Sequence, residues 1–505
     1  MNVLDSIARQ VRAYPQRPAL ILGANTLTYR QLWQNAARAA SHLQAQGVAQ
    51  GDCVAVAKMN PQAYLVIVMA LARLGAVSTL VQPGWNAGKR AQVFLRNGVS
   101  AWVQGDDAGP AQAQQGVPGL RAITAQSLFA PLPQDAVVPK LAQGLEDRPW
   151  RIGLSSGTTG EGKSIPWTHG QVARLHRVSL DVYAAGPGER LLVFADLGIG
   201  LGMGHAMMQL AGGGAVILSD SIQPGAFFEA ASQHRATQAL TTTAIAFTLL
   251  EHASAVGAPR LPALRSLLLG GATVPPALRQ GLQDKVCPNL QVTYGSTETG
   301  TLARSDHHSH LARPESAGRV MPWITAQAVD DSDRPLPPGE AGRLRFRSAA
   351  MASSYLGNPD ATAQVFRDGW YYPGDVGALD DEGYLVLGGR NDDLINLQGV
   401  KVNPAQVEDA MASHPQVIEA AAVEVLQRNG RKALAAAVVA RFAFETRELR
   451  AHVRERLGRL ATPSLVLFVE SLPKNEAGKL MRGELQARIE KAIGDSGPDD
   501  SAHAN

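Results

Sequence analysis

Residues 53–81 read CVAVAKMNPQAYLVIVMALARLGAVSTLV, and this stretch decides the fold class. The apolar runs at 53–58 and 77–81 predict two strands, and residues 61–74 predict a helix that Gly75 ends. A strand, a helix and a second strand are the repeating unit of a parallel sheet whose two faces are covered by helices. The stretch therefore predicts an α/β protein.

No membrane-spanning segment is expected. The most apolar stretch, residues 64–81, contains Arg73, and a charged side chain inside a bilayer costs about 3 kcal/mol. The first residues mix charges and hold no apolar run of the length found in signal peptides. We expect a cytoplasmic protein without integral membrane association.

Composition excludes several other classes. The chain has 505 residues, of which 45% are hydrophobic and 18% are charged, so wholesale disorder is excluded. A net charge of +3 is too small a bias to predict a nucleic-acid partner. The two cysteines, Cys53 and Cys287, cannot build a disulfide framework and fit a reducing compartment. A monomer or a homodimer is expected.

The alternation of strands and helices continues on both sides of the opening stretch. Further helices are predicted from residue 27 to about residue 46 and at 203–210, 243–252 and 275–282, and further strands at 191–194, 215–218 and 266–269. Beyond Val320 the pattern changes to short strands separated by turns. After Arg390 a compact segment follows, with helices at 404–413 and 446–457 and strands at 417–425 and 433–440.

These patterns predict a large N-terminal domain of parallel α/β sheets and a small, mobile α+β C-terminal domain. The large domain is expected at 1–390, with a β-rich subdomain at about 320–388. The small domain is expected at 391–493. The polar residues 494–505 are expected to form a disordered tail.

Residues 152–169, IGLSSGTTGEGKSIPWTH, form a candidate phosphate-binding loop. Glycines let backbone N–H groups converge on an anion, hydroxyl groups add donors, and a lysine supplies positive charge. The alternative is a plain surface loop rich in glycine and serine. The candidate residues are Ser155, Ser156, Gly157, Thr158, Thr159, Gly160 and Lys163.

The same loop satisfies the P-loop pattern GxxxxGK(S/T) at residues 157–164. The apolar run LLVFAD, which ends at Asp196, would supply the second acidic motif of such an enzyme. A P-loop needs a helix that starts at the Lys-Ser pair, whereas Pro166 and Trp167 follow that pair here and weaken the interpretation. A P-loop phosphohydrolase therefore stays open as a second hypothesis.

Four further motifs follow in order: YGSTE at 294–298, YYPGD at 371–375, GGRNDD at 388–393 and PKNEAGK at 473–479. No P-loop enzyme requires that ordered set. Together with the glycine-rich loop, it closely resembles the adenylate-forming superfamily of acyl-CoA synthetases, non-ribosomal peptide adenylation domains and luciferases. The resemblance extends from the N-terminal helix to about Leu485.

The resemblance implies a ligase with two half-reactions. ATP first activates a small carboxylic acid as an acyl-adenylate. The acyl group then passes to a thiol, with coenzyme A as the favoured acceptor and the phosphopantetheine of an acyl- or peptidyl-carrier protein as the alternative. ATP, Mg²⁺ and coenzyme A are the implied cofactors.

The resemblance also assigns roles to individual residues. Lys163 and its loop would surround the β- and γ-phosphates, although Gly162-Lys163-Ser164 stands where the family commonly shows Pro-Lys-Gly. Thr297 would contact the α-phosphate and Glu298 would hold Mg²⁺, a cation that prefers oxygen ligands. Lys479 would bind the carboxylate and the α-phosphate during adenylation.

Further residues complete the implied nucleotide site and the moving parts. Asp375 would accept hydrogen bonds from the ribose hydroxyls, with Arg390 beside the same sugar, and Asp392 would be the hinge of the small domain. Glu408 is expected to anchor its own helix. The implied adenine site is Gly270, Gly271 and Ala272, the remaining ATP-site residues are Tyr294, Gly295 and Ser296, and the thiol-acceptor loop contains Gly399 and Lys401.

The acyl pocket is the least determined part of the site. Many family members carry an aromatic residue or histidine at the end of the strand at 191–194. Asp196, Leu197 and Gly198 follow that strand here, no histidine stands there, and glycines at 198, 200, 202 and 204 leave little side-chain bulk. Asp196 could bind an amino group of the substrate, although a role as a loop or cap residue is favoured. Fatty, aryl and other small organic acids all stay open.

Overall fold

The computed structural model describes residues 1–82, 84–105, 116–155, 162–257, 261–390, 395–397, 400–426, 432–442, 444–474 and 480–495. It shows a mixed α/β fold with a large N-terminal domain and a smaller C-terminal domain, which confirms the predicted fold class. Two mainly parallel sheets and one antiparallel sheet belong to the large domain. The bounds of the two domains stay predictions.

A nine-stranded sheet carries most of the candidate site. Its six middle strands are parallel, so their carboxyl ends share one edge, and antiparallel strands flank them on both sides. In order across the sheet, the strands are β15 (Arg319–Val320), β14 (Gly300–Ser305), β13 (Leu290–Ser296), β12 (Ser266–Gly270), β11 (Gln238–Thr242), β9 (Arg190–Phe194), β10 (Ala215–Leu218), β1 (Pro18–Leu22) and β2 (Asn25–Thr28).

The stretch that predicted the fold class belongs to a second, six-stranded sheet. All of its strands are parallel except the last, which pairs with its neighbour in the antiparallel direction. In order, the strands are β6 (Arg121–Thr124), β5 (Val99–Gln104), β3 (Cys53–Val56), β4 (Val77–Leu80), β7 (Pro149–Leu154) and β8 (Ser164–Thr168).

The helix between β3 and β4 has the predicted bounds, Pro61–Leu74. The Asn60 side chain caps it by accepting hydrogen bonds from two backbone N–H groups, and Gly75 ends it in the left-handed conformation at φ 73°. Nearly every residue of this helix is buried, because it packs in the main core of the large domain. Within the described residues no helix is long and apolar enough to cross a membrane.

Fourteen α-helices are described in all. In chain order they are α1 (Asp5–Ala13), α2 (Tyr29–Ala45), α3 (Pro61–Leu74), α4 (Ala87–Asn97), α5 (His169–Ser179), α6 (Gly200–Gly212), α7 (Pro224–Gln233), α8 (Thr243–Val256), α9 (Pro276–Lys285), α10 (His307–Ala312), α11 (Pro359–Val365), α12 (Pro404–Ala412), α13 (Thr446–Leu457) and α14 (Arg482–Asp495), with a 3₁₀ helix at Ala125–Phe129.

The antiparallel sheet follows the change of sequence pattern beyond Val320. It contains the last residue of the YYPGD motif, Asp375, which pairs with Arg390 on the neighbouring strand. Its strands are β16 (Thr325–Val329), β17 (Gly342–Arg347), β18 (Phe366–Arg367), β19 (Trp370–Tyr371), β20 (Asp375–Leu379) and β21 (Leu385–Arg390).

The C-terminal domain has a core of its own. Helices α12 and α13 pack on one face of a three-stranded sheet, and α14 packs on the other face. The strands are β24 (Val417–Leu426), β25 (Lys432–Ala440) and β26 (Leu465–Phe468), and a two-stranded hairpin of β22 (Ile395–Leu397) and β23 (Val400–Val402) precedes them.

Both cysteines lie in the interior of the large domain. Cys53 is 7% exposed and Cys287 is 1% exposed, and neither forms a disulfide bond. Burial raises the pKa of the Cys53 thiol to about 12, with a further contribution from Asp52, and raises the pKa of Cys287 to about 11. Both thiols are therefore protonated at neutral pH.

Candidate active site

The candidate phosphate loop lies between two antiparallel strands, β7 and β8. Its base is closed where the Ser155 N–H donates to the Lys163 carbonyl at 3.0 Å and the Lys163 N–H donates to Ser155 Oγ at 3.0 Å. Residues 156–161, which include the candidates Ser156, Gly157, Thr158, Thr159 and Gly160, lie outside the described residues.

The strand direction excludes a P-loop. A P-loop joins a strand to a helix that begins at the Lys-Ser pair, whereas Ser164 begins strand β8 here. The next helix, α5, begins only at His169, where a capping box of Thr168 and Gln171 closes its first turn. The P-loop hypothesis was therefore wrong, because Pro166 and its bulky neighbours continue a strand pairing with β7.

The YGSTE motif lies at the end of β13, beside the carboxyl edge of the parallel strands. Pairing with β14 extends this strand through Tyr294 and Gly295 to Ser296. Gly295 permits this pairing, since a Cβ there would lie 2.0 Å from the Gly300 carbonyl oxygen. The Thr297 carbonyl accepts a hydrogen bond from Trp167 Nε1 at 2.9 Å, which joins this motif to the strand after the phosphate loop.

Glu298 is buried, with 6% of its surface exposed. The Tyr355 hydroxyl donates to Glu298 Oε1 at 2.8 Å, and Lys163 Nζ lies 4.8 Å from the centre of the same tyrosine ring. Burial, followed by the charge of Glu298, raises the pKa of Tyr355 far above its ordinary value, so this tyrosine stays a neutral donor. Tyr355 thus connects the lysine of the phosphate loop to the acidic residue of the YGSTE motif.

A second tyrosine lies on the other side of the YGSTE motif. The Tyr371 hydroxyl is 3.2 Å from Ser296 Oγ, and Ser296 Oγ is also 3.2 Å from Thr299 Oγ1. Burial, followed by the charge of Glu298, raises the pKa of Tyr371 well above its ordinary value. The first residue of the YYPGD motif therefore holds the YGSTE motif in place.

Asp375 and Arg390 are directly opposite each other on β20 and β21. Arg390 Nε lies 3.9 Å from Asp375 Oδ1, and the Tyr294 hydroxyl donates to Asp375 Oδ2. Burial, followed by the charge of Asp375, raises the pKa of Tyr294 well above its ordinary value. The structure thus brings together the three residues that the resemblance places around the nucleotide.

Gly270 is the last residue of β12, and Gly271 and Ala272 follow it at the carboxyl edge of the parallel strands. The Thr243 hydroxyl donates to the Ala272 carbonyl at 3.0 Å, and Gly271 has a positive φ of 99°. A Cβ on Gly270 would lie 2.7 Å from Thr293 Oγ1 and 3.3 Å from the Leu201 side chain. The predicted adenine segment is therefore packed directly against β13 and the start of α6.

The predicted acyl-pocket residues form the loop after β9. Asp196 Oδ1 accepts a hydrogen bond from the Gly198 N–H at 2.6 Å, and Asp196 Oδ2 lies 3.2 Å from Lys58 Nζ. The carboxylate of Asp196 is thus engaged by its own loop and by a lysine. The roles of Asp196, Leu197 and Gly198 towards a substrate stay predictions.

Several predicted residues of the C-terminal domain cannot be placed. Asp392, Gly399 and Lys479 lie outside the described residues, and only the backbone of Lys401 is described, in β23. Glu408 accepts hydrogen bonds from Arg482 Nη2 at 3.0 Å and from the Ala422 N–H at 2.8 Å, so it anchors α12 as expected.

The donors around Glu298 determine which kind of Mg²⁺ site this part of the protein can form. Within the described part of the chain no group of three or more His, Cys, Asp and Glu side chains could hold a metal ion. Glu298 offers one carboxylate, and its Oε1 is engaged by Tyr355. Mg²⁺ commonly binds through one or two carboxylates together with substrate phosphates, so this single carboxylate fits Mg²⁺ that arrives with ATP and not a resident metal site.

Sequence reasoning missed the residues that connect the motifs. Tyr355 belongs to none of the motifs, and Trp167 had no role assigned to it although it lies in the stretch 152–169. Their contacts span 57 and 130 residues of sequence. Tyr371 lies inside the YYPGD motif, so its position in the motif was a signal that could have identified it.

Comparisons with known proteins agree with this geometry. Residues 7–356 match the AMP-binding enzyme family, and residues 406–479 match the AMP-binding enzyme C-terminal domain. A feruloyl-CoA synthase of Amycolatopsis is 31% identical over 95% of this chain and 98% of its own, and the fatty acid–[acyl-carrier-protein] ligase ScoC of Streptomyces coeruleorubidus is 28% identical over 94% of each.

A solved structure matches over a similar length. The amide bond synthetase McbA from Marinactinospora thermotolerans superimposes with a TM-score of 0.86 at 27% identity, over 96% of this chain and 99% of that one. The family matches, the relatives and the ordered motifs all point to one assignment. The chain belongs to the AMP-binding enzyme family, within the adenylate-forming superfamily.

Proposed function

We propose that the protein is an AMP-forming ligase that activates a carboxylic acid with ATP and transfers the acyl group to the thiol of coenzyme A. The observation that carries this proposal is that contacts of two tyrosines connect Lys163, Glu298 and Asp375 around the YGSTE motif. Tyr355 joins the first two, and Tyr294 holds the third beside the same motif. Membership of the AMP-binding family supports the use of ATP.

In the first half-reaction, a carboxylate oxygen of the acid attacks the α-phosphorus of ATP and pyrophosphate leaves. Lys163, at the base of the phosphate loop, would bind the leaving phosphates, and Thr297 would contact the α-phosphate. Asp375 suits a ribose diol, because a carboxylate accepts two hydroxyl donors and its position is fixed here by Tyr294 and Arg390.

Glu298 is the residue that would hold Mg²⁺, which when bound offsets the negative charge of the phosphates. Tyr355 keeps one carboxylate oxygen in a fixed position by donating its hydroxyl hydrogen. The charge of Glu298 is therefore placed before ATP binds, and little reorganisation is needed during the reaction.

In the second half-reaction, a thiol attacks the acyl carbonyl carbon, and the bond to the AMP oxygen breaks. We propose that the C-terminal domain, 391–493, moves between the two half-reactions about Asp392. Lys479 would serve the first half-reaction, and the loop with Gly399 and Lys401 would approach the thiol in the second. These roles rest on the resemblance of the motifs at 388–393, 399–401 and 473–479.

Aromatic acids are the substrate class to test first. Relatives of this chain include a feruloyl-CoA synthase, and at Gly200 and Gly204, in the first turns of α6, a Cβ would meet no other atom within 4 Å. A carrier-protein thiol is the alternative acceptor, since a fatty acid–[acyl-carrier-protein] ligase is also a relative.

The decisive experiment is ATP–pyrophosphate exchange with a panel of aromatic, fatty and amino acids. Exchange that depends on one acid class would support the proposal and would name the substrate class. Product formation with coenzyme A and with a phosphopantetheinylated carrier protein would then identify the acceptor. Exchange with no acid, together with ATP hydrolysis to ADP, would contradict the proposal.

Glu298→Gln is the matched variant for this experiment. The amide keeps the shape of the side chain and removes its charge, so the exchange rate should fall and more Mg²⁺ should be needed for half-maximal rate. Asp284, whose exposed carboxylate accepts a hydrogen bond from Gln280 on α9, provides the control variant Asp284→Asn. An unchanged Mg²⁺ titration in Glu298→Gln would remove Glu298 from the metal site.

A further inference from the structure

Arg151 and Lys58 reach from the six-stranded sheet to the loop that follows β9 in the nine-stranded sheet. Arg151 Nη2 donates to the Gly198 carbonyl at 2.6 Å and to the Leu197 carbonyl at 3.2 Å. Lys58 Nζ lies 3.2 Å from Asp196 Oδ2, and the other oxygen of Asp196 caps the Gly198 N–H. All three consecutive residues of the loop are therefore held by this set of bonds.

Because Arg151 is buried, its hydrogen bonds to the two loop carbonyls replace bonds that water would otherwise make. Arg151 is 5% exposed, and among the described residues it has no carboxylate partner and no acceptor for Nη1. A buried guanidinium that lost the two loop carbonyls would keep the cost of desolvation without compensation. The position of the loop and the position of Arg151 are thus strongly coupled.

Arg151 also lies close to the phosphate loop in sequence. It is a residue of β7, the strand that leads directly to Ser155. At its other end the Asp196–Gly198 loop leads into α6, where the Leu201 side chain lies next to Gly270. The loop, which is itself the predicted acyl-pocket segment, therefore contacts the strand that carries the phosphate loop and leads to the helix that packs beside the predicted adenine segment.

We propose that Arg151, with Lys58 and Asp196, forms an acyl-loop clamp that positions residues 196–198 and thereby determines which acids the site accepts. Arg151 is a positioning residue here, because it acts on the loop carbonyls and not on the reacting atoms. The part of this inference that concerns acid selection rests on the proposed ligase function. The part that concerns the loop itself does not.

Arg151→Met is the direct test, with Arg151→Lys as the conservative variant and Arg73→Met as the matched control. Arg73 is also buried, with 8% of its surface exposed, and donates to a single carbonyl, that of Pro139, away from the loop. In Arg151→Met we expect the KM for the acid to rise at least about tenfold, as for a lost charge-assisted hydrogen bond, and the KM for ATP to change less than about twofold. Arg151→Lys should recover part of the loss.

Amide hydrogen exchange of a peptide covering residues 195–201 measures the loop without any substrate. It should become at least about tenfold faster in Arg151→Met and stay unchanged in Arg73→Met. Unchanged loop exchange in Arg151→Met would overturn the clamp whatever the enzyme's activity. Equal increases in the KM for the acid and for ATP, or the same effect in Arg73→Met, would also overturn it.

Asp196→Ala keeps the proposal testable if the Arg151 variants do not fold, because the Asp196 side chain is 44% exposed. It removes the cap on Gly198 and the pair with Lys58, and the loop exchange and the KM for the acid should both rise. No change in either would contradict the clamp. If wild-type protein exchanges pyrophosphate with no acid, the proposed function fails, and loop exchange alone decides on the clamp.

Discussion

The Tyr355 hydroxyl donates to Glu298 Oε1 at 2.8 Å, although the two residues are 57 positions apart. The tyrosine follows the antiparallel strand β17, and the glutamate follows β13 of the nine-stranded sheet. The contact therefore joins two sheets of the large domain at the point where the metal-binding carboxylate is proposed. Hydrogen bonds to charged groups are stronger than those between neutral groups, so Tyr355 should contribute strongly to the orientation of Glu298.

Tyr355→Phe should lower the rate of acid-dependent pyrophosphate exchange about tenfold. The ring that faces Lys163 stays, but Glu298 loses its donor and with it about 1.5–3 kcal/mol of orientation. The rate should recover partly at high Mg²⁺. Tyr372→Phe is the matched control, since its hydroxyl accepts one hydrogen bond, from Arg345 at 3.1 Å, away from Glu298. Equal losses in both variants would contradict a specific role for Tyr355.

Asp375→Asn should raise the KM for ATP about tenfold, because the ribose hydroxyls lose a charged acceptor. Tyr294→Phe should have a smaller effect in the same direction, since it removes only the donor that orients Asp375. Asp380→Asn serves as the control. Asp380 directly follows the other end of β20 and pairs with Arg313 at 3.4 Å. Steady-state kinetics with varied ATP check this. If Asp375→Asn and Asp380→Asn have the same KM for ATP, Asp375 does not bind the nucleotide.

Local sequence signals were sufficient wherever one segment determines its own structure. The bounds of α3 match the prediction because Asn60, Pro61 and Gly75 each act within one turn of the helix. The bounds of β10 also match the prediction, 215–218, because all four of its residues are apolar and buried. Pro166 could not be interpreted as easily, since Pro is tolerated both at a helix start and in an edge strand, and pairing with β7 decided between them.

The connecting contacts of the site could not be predicted in this way. The partners of Glu298 and of Gly198 come from distant segments, Tyr355 and Arg151 respectively, and only the packing of whole sheets brings them together. The motifs indicated which residues would bind ATP, because each motif is a short continuous segment that can be identified in the sequence. They contained no information about the side chains behind them.

Lys479→Ala should lower the rate of acyl-adenylate formation about 10²–10³-fold, the usual effect of removing one electrostatic donor from a developing charge. Thioester formation from supplied acyl-adenylate should change much less. Separate assays of the two half-reactions check this. Lys474, which pairs with Glu419, gives the control Lys474→Ala in the same segment. Equal loss of both half-reactions would assign Lys479 a structural role.

Asp392→Pro should affect the two half-reactions in the opposite way. Proline fixes φ near −65° and removes a backbone donor, so a rotation about residue 392 would be restricted. Pyrophosphate exchange should stay near normal while thioester formation falls at least about tenfold. Single-turnover measurements with pre-formed acyl-adenylate would detect the difference. A normal rate of thioester formation would contradict a hinge at Asp392.

Stability should fall as the pH is lowered from about 6.5 towards 4. Burial lowers the pKa of His176 and of His205 to about 4, with a smaller effect of His205 on His176. Between the unfolded pKa and this value only the unfolded state takes up the proton, so each histidine lowers the free energy of unfolding by about 2 kcal/mol from pH 8 to pH 5.

Substitution His176→Leu checks the sign and the size of this effect. Within the described residues neither ring nitrogen of His176 has a hydrogen-bond partner, so the apolar side chain leaves no polar group unpaired. Denaturant titrations at pH 8 and pH 5 give the free energy of unfolding at each pH. Its decrease between the two pH values should be smaller by about 2 kcal/mol in His176→Leu than in the wild type. His308→Leu, at an exposed position, should leave the loss unchanged.

The burial of Cys53 and Cys287 has a practical consequence for the measurement of domain motion. Thiols that are shielded and protonated at neutral pH react slowly with maleimides and are poor nucleophiles towards an activated acyl group. A cysteine introduced at an exposed site in each domain would then be labelled selectively in the otherwise native sequence. Distances between two fluorophores could be followed during turnover without first removing the native cysteines.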